Sequence, residues 1–150
     1  MPILESPGHP YIGASPGCWG IFLEVVAREY GEYGYPSFHH LTVDTYAVQH
    51  PGTPSKQTAR SVALHLISLY YALEKGWDVS GVREVLRQAA SRREGFRWLE
   101  PPAPPASLTV LDVAGAGSLA EHEAAVRRWA RSVWDSWAGH RETIRRWAER

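Results

Sequence analysis

The apolar positions of this chain recur at helical rather than strand spacing. Val62, Leu66, Leu69 and Leu73 step by four, three and four residues, which puts them on one face of an α-helix. The same alternation of four and three links Val126, Ala130, Val133, Trp137, His140, Ile144 and Trp147. That is a heptad-like seam suited to burial along a long C-terminal helix. No stretch alternates apolar and polar residues strictly enough to make a strand. The expected fold is all-α, a bundle of about five helices.

The eleven prolines set the limits of those helices. Residues 55–100 and 106–150 contain none and are free to be helical. Ser15-Pro16-Gly17 reads as an N-cap and first helical residue, opening a helix over 18–30 that Gly31 and Gly34 stop. Pro36-Ser37 opens a second over 37–50, ended by Pro51-Gly52, and Thr53-Pro54 opens a third over 54–75, ended by Gly76. Ser80 starts a fourth over 80–94, and the last covers 118–148. Thr109-Val-Leu-Asp112 resembles a capping box opening a short turn. Between them, 98–107 is a Pro-rich connector, too brief to separate a pair of domains, so it is expected to strap one domain spanning 1–150.

Composition narrows the function classes. Sixteen basic and sixteen acidic side chains give zero net charge in 150 residues, which argues against a nucleic-acid partner. The 44% hydrophobic content is too high for disorder. No apolar run approaches the ~20 residues of a membrane span, and no basic-then-apolar leader opens the chain. A single Cys excludes an internal disulfide and suits a reducing compartment. The expectation is a cytoplasmic protein, with no membrane partner, acting on an unidentified small molecule. The seven Trp are concentrated toward the C-terminus, where they fit a core or a homodimer seam.

The seven His and the one Cys are the candidate chemistry. Cys18 falls in the first turn of its helix, where unpaired N–H groups favour a thiolate; a buried small hydrophobe is the competing reading. His39, Val43, Tyr46 and His50 share one stripe of the second helix. His40 and Asp44, four apart, make a His–carboxylate pair that reads first as a surface hydrogen bond. His65 stands among the leucines of the third helix, in the usual place of a satisfied core histidine. Glu24 interrupts the run Ile21-Phe-Leu-Glu-Val-Val26, so its carboxylate is a candidate for the bundle interior. His140 is expected to bond a backbone carbonyl or water, and His122 to be exposed. The C-terminal arginines are nearly balanced by acids and read as a solvated face.

Four segments carry a resemblance. His9-Pro-Tyr-Ile-Gly-Ala-Ser-Pro-Gly-Cys-Trp19 and His39-His-Leu-Thr-Val-Asp-Thr-Tyr-Ala-Val-Gln-His-Pro-Gly52, with Ser61-Val-Ala-Leu-His-Leu66 and Trp98-Leu-Glu-Pro-Pro102, resemble a bacterial family of unknown function. Its signature is His-x-Leu-Thr-Val-Asp-x-Tyr-x-x-Gln-His-Pro-Gly. The resemblance implies a His at position 39 and varied residues at 40, which favours His39 over His40. Many members carry an extra leading Cys-x-x-Cys stretch that is not found here. The resemblance implies no activity.

Geometry divides the candidates into two centres. His39 and His50 are eleven residues apart, roughly 16 Å along a helix, so they cannot share one metal ion. If the second and third helices form an antiparallel hairpin about Gly52, His39 and His65 are each thirteen residues from the turn and face one another. Asp44 or Glu24 could then supply carboxylate support for zinc or iron. By the same levelling, Cys18 lies at the height of His50, with His9 within reach of both. That set could bind zinc or copper, or act as nucleophile and base. The leading expectation is a small helical metalloprotein, a metal-dependent hydrolase or oxidoreductase, with His39, His65, His50, His9 and Cys18 as candidate ligands. Cys18, Asp44 and Glu24 are its candidate catalytic residues. A metal-free thiol enzyme built on Cys18 and His50 is the alternative. A non-catalytic binding or assembly module using the Trp-rich C-terminal helix is the third.

Overall fold

The computed structural model describes residues 15–150, which form seven α-helices and no strand. The first, α1, spans Pro16–Tyr30: Ser15 Oγ accepts the Cys18 N–H at 3.2 Å, and Pro16, with no N–H to waste, follows directly. After a turn in which Gly34 and Tyr35 take left-handed φ values of 67° and 56°, α2 spans His39–Gln49. The third helix, α3, spans Lys56–Leu69 and is capped by Ser55 rather than Thr53. It runs on into a π-helical turn over Tyr70–Glu74. Next, α4 spans Val79–Ala90 with Asp78 as its N-cap, so it both starts and ends before the expected 80–94. The turn opened by Thr109 becomes α5, Leu111–Ala114.

The single long helix expected over 118–148 is instead two. Helix α6 spans Leu119–Ser136 and α7 spans Arg141–Ala148, joined by a 3-10 turn over Ala138–His140. Trp137 and His140 donate their N–H groups to carbonyls three residues back, at 3.0 and 2.9 Å, tightening the chain beside Gly139, a poor helix former. The count is therefore seven helices among the described residues rather than about five.

The break sends α7 back over the π-helical turn. Tyr71 Oη donates to the Ala148 carbonyl at 2.6 Å, Tyr70 Oη to Glu149 Oε1 at 2.9 Å, and Arg92 Nη1 to the Trp147 carbonyl at 2.8 Å. Helix α2 sits centrally, packed on α3 and α6, while α1 packs on α2 and α5. Trp129, Trp134 and Trp137 are all at most 1% exposed and Trp147 is 8%, so their rings lie in the core. Two of the buried indoles donate their N–H groups to side chains, Trp129 to Gln49 Oε1 at 2.8 Å and Trp134 to Glu74 Oε1 at 2.7 Å. Between α4 and α5 the Pro-rich segment has no helix; it is held by Gln49 Nε2 on the Leu108 carbonyl and by His140 Nε2 on the Glu100 carbonyl. The expected carbonyl partner of His140 is thus present. Among the described residues, no helix is long and apolar enough to cross a membrane.

Candidate functional site

Two buried carboxylates organise the interior, and each collects histidines. Asp44, on α2, is 5% exposed. Its Oδ1 accepts from His65 Nδ1 at 2.7 Å, and its Oδ2 from His40 Nδ1 at 3.4 Å and from Ser68 Oγ. Burial alone would push this carboxyl up. The hydrogen bonds from His40, His65 and Ser68, with the charge of His65, outweigh burial and hold it below 3.8, its ordinary value. The expectation of a surface His40–Asp44 pair is corrected here: the pair is partly buried, and Asp44 also reaches inward to His65 and Ser68 of α3. It does so because α3 presents His65 and Ser68, three apart, on the face that packs against α2.

The second carboxylate is Glu29, near the end of α1 and fully buried. Oε1 accepts from His39 Nδ1 at 2.6 Å. Oε2 accepts from Thr42 Oγ1 at 2.7 Å and from His122 Nε2 at 2.6 Å. Glu24, the sequence candidate for the interior, is exposed: α1 turns that edge to water. An interruption of an apolar run marks sequence neighbours, whereas burial on a helix follows phase. Glu29 is four residues past the buried Val25 and seven past Phe22, on the inward stripe. His122, expected to be exposed, is fully buried for the same reason: it lies four before Val126 and seven before Trp129. Extending the C-terminal seam back by one step would have found it. With Nε2 given to Glu29, His122 Nδ1 has no hydrogen-bond partner among the described residues.

Both cages leave imidazoles facing a common space. His39 and His65 line one cavity of about 260 Å³ between α1, α2 and α3, with Trp19, Phe22, Val26 and Val43 among its walls. The two residues levelled about Gly52 thus line the same cavity. Each has its Nδ1 on a buried carboxylate, so its Nε2 is the nitrogen left for other chemistry. His39 is further fixed by Tyr30 and Tyr35, whose ring centroids lie 4.7 and 4.9 Å from its own. Tyr35 holds its ring there from a backbone at φ 56°, costly for a bulky side chain and usual near functional sites. No spacing rule marks Tyr30 or Tyr35 in advance.

The other expected centre assembles differently. The ring of Tyr46 lies 4.4 Å from that of His50, and its hydroxyl is pushed up by burial and then by the charge of Cys18. Burial shifts His50 down, favouring the neutral imidazole. The Tyr46 hydroxyl has no hydrogen-bond partner among the described residues. His9 lies outside the described residues. Among the described residues, no group of three or more His, Cys, Asp or Glu side chains is placed to hold a metal ion. The donors the structure does align are pairs.

Residues 6–138 match the model of a family of unknown function, DUF5946, and the chain belongs to that family. No curated protein and no solved structure matches the chain.

Proposed function

We propose that this member of DUF5946 is a small helical metalloprotein whose centre is the cavity shared by His39 and His65. The observation that carries the reading is the pairing of each imidazole, through Nδ1, with a buried carboxylate: His39 on Glu29 and His65 on Asp44. Metal-bound histidines characteristically give their second nitrogen to such a carboxylate, which fixes the tautomer and raises the basicity of the ligating nitrogen. Imidazole donors suit zinc, iron or copper. Both carboxylates already accept hydrogen bonds at both oxygens, so their role is to orient the imidazoles. Two protein donors leave several positions for water and substrate, as hydrolase or oxidoreductase chemistry needs.

The test is elemental analysis of protein purified without an affinity tag, followed by titration with zinc, cobalt and copper ions. A bound equivalent, or a rise in melting temperature on metal addition that His39→Ala and His65→Ala each remove, is the expected result. Less than about a tenth of an equivalent, with no stabilisation by any of the three ions, overturns the reading.

A second reading is a metal-free thiol enzyme at Cys18. It is favoured by the burial that shifts His50 toward the neutral imidazole beside Tyr46, the form in which a general base begins. It predicts pH-dependent alkylation of Cys18 that slows in His50→Ala; an unreactive Cys18 in the native protein rules it out.

A further inference from the structure

Helices α3 and α4 flank an open cavity of about 660 Å³, the size range of small-molecule sites. Its floor is apolar, built from Leu64, Leu86 and Ala90, and three arginines, Arg60, Arg83 and Arg87, stand around it. Among the described residues, the only carboxylate lining it is Asp44, whose oxygens are taken by His40, His65 and Ser68. The arginines are not equally occupied. Arg87 is paired with Glu84 through two nitrogens, at 2.8 and 3.2 Å. Arg60 gives one nitrogen to the Ala90 carbonyl, which ties α3 to α4 and leaves the rest of its guanidinium available. Arg83 makes no hydrogen bond or ion pair among the described residues. It also lines the neighbouring cavity that holds His39 and His40. His65 and Ser61 in turn form part of both this cavity and the one containing His39. An apolar trough, an excess of cationic rim and an uncommitted guanidinium beside an anchored imidazole together describe a ligand.

We infer that the α3–α4 cavity binds a small amphipathic anion, with a carboxylate or phosphate head on Arg83 and Arg60 and an aliphatic or aromatic body over Leu64, Leu86 and Ala90. A guanidinium offers a planar fork to either head group. The bound molecule lies against His65, so the inference rests on the proposed centre for any chemistry done on that molecule; binding itself needs only the arginines and the apolar floor.

The test is calorimetric titration of chelator-treated protein with octanoate, octyl phosphate and octanol. One or both anions bind saturably, and octanol at least about tenfold more weakly. Arg83→Ala, an exposed position whose loss leaves the melting temperature unchanged, weakens the anion at least about tenfold, and added salt weakens it further. The anion that binds tighter identifies the head group. His39→Ala leaves anion affinity intact while removing metal binding, so the two readings fail separately. The inference is overturned if neither anion binds saturably, if octanol binds as well as both, or if Arg83→Ala changes nothing.

Discussion

Glu29 shows what a single side chain can hold together. It is fully buried, and its three donors come from a loop-proximal turn of α2, from Thr42 one turn further, and from α6 across the interior. Removing one partner of a buried, hydrogen-bonded charged group costs about 3–5 kcal/mol, because the groups left behind have no water to turn to. Glu29→Gln keeps the volume but sets an amide N–H₂ against N–H and O–H donors. It is expected to cost about 3 kcal/mol in urea denaturation, whereas Thr42→Val, which removes one of the three bonds, costs about 1 kcal/mol. Asp44 adds a pH dependence. Its folded value is depressed, so its stabilisation is fully present above its ordinary 3.8 and is lost as pH falls through the lower, folded value. Denaturation followed from pH 6 downward is therefore expected to fall more steeply below about pH 4 in the native protein than in Asp44→Asn, which lacks the titrating group. At this scale the sequence was legible where chemistry is carried by near neighbours. Asp44, His39 and His65 stand out by type and spacing, but Glu29 and His122, 93 residues apart, are joined only by the packing of α1 against α6's neighbours.

At the scale of elements, boundaries follow local chemistry closely. Proline and glycine positions mark the ends of α1 and α2 to within a residue or two, since a missing N–H or a left-handed turn acts on the spot. The choice of cap was harder: Thr53 and Ser55 are both able to cap α3, and Ser55 wins, with Thr58 Oγ1 turning back to the Thr53 carbonyl. The start of α6 combines two signals. Ser118 Oγ accepts the Glu121 N–H at 3.1 Å, and Glu121 Oε2 reaches back to the Gly117 N–H at 2.9 Å. Ser118→Ala is expected to cost about 1 kcal/mol in thermal or urea unfolding. The effect exceeds that of an ordinary surface change because α6 carries His122 just inside its first turn. The break between α6 and α7 was not legible, because the heptad spacing continues through it: Val133, Trp137, Ile144 and Trp147 are all buried on both sides of the turn. Periodicity reports which residues seek the core, and it is satisfied equally by one long helix or by two that fold back over the same core.

For the whole molecule, the question is whether the Trp-rich C-terminal region is an appendage or the keystone. Three of its indoles are at most 1% exposed, and two of them give their N–H groups to Gln49 and Glu74, on α2 and on the π-helical turn. Its His122 closes the Glu29 cage, and its end is clasped by Tyr70 and Tyr71. Truncating a buried Trp alone costs about 3–5 kcal/mol, which is comparable with the 5–15 kcal/mol that holds a typical domain together. Deleting residues 118–150 removes four such rings at once and takes His122 from Glu29, the Trp129 indole from Gln49 and the Trp134 indole from Glu74. The shortened chain is accordingly expected to show no cooperative thermal transition and no dispersed amide NMR spectrum. A peripheral helix reserved for a partner would give the opposite outcome, with residues 15–117 retaining a sharp transition after the deletion. The same experiment bears on the centre. His39 reaches its carboxylate at the point where Glu29 also meets His122, so any residual helix in the truncated chain should bind zinc or cobalt no better than a denatured control.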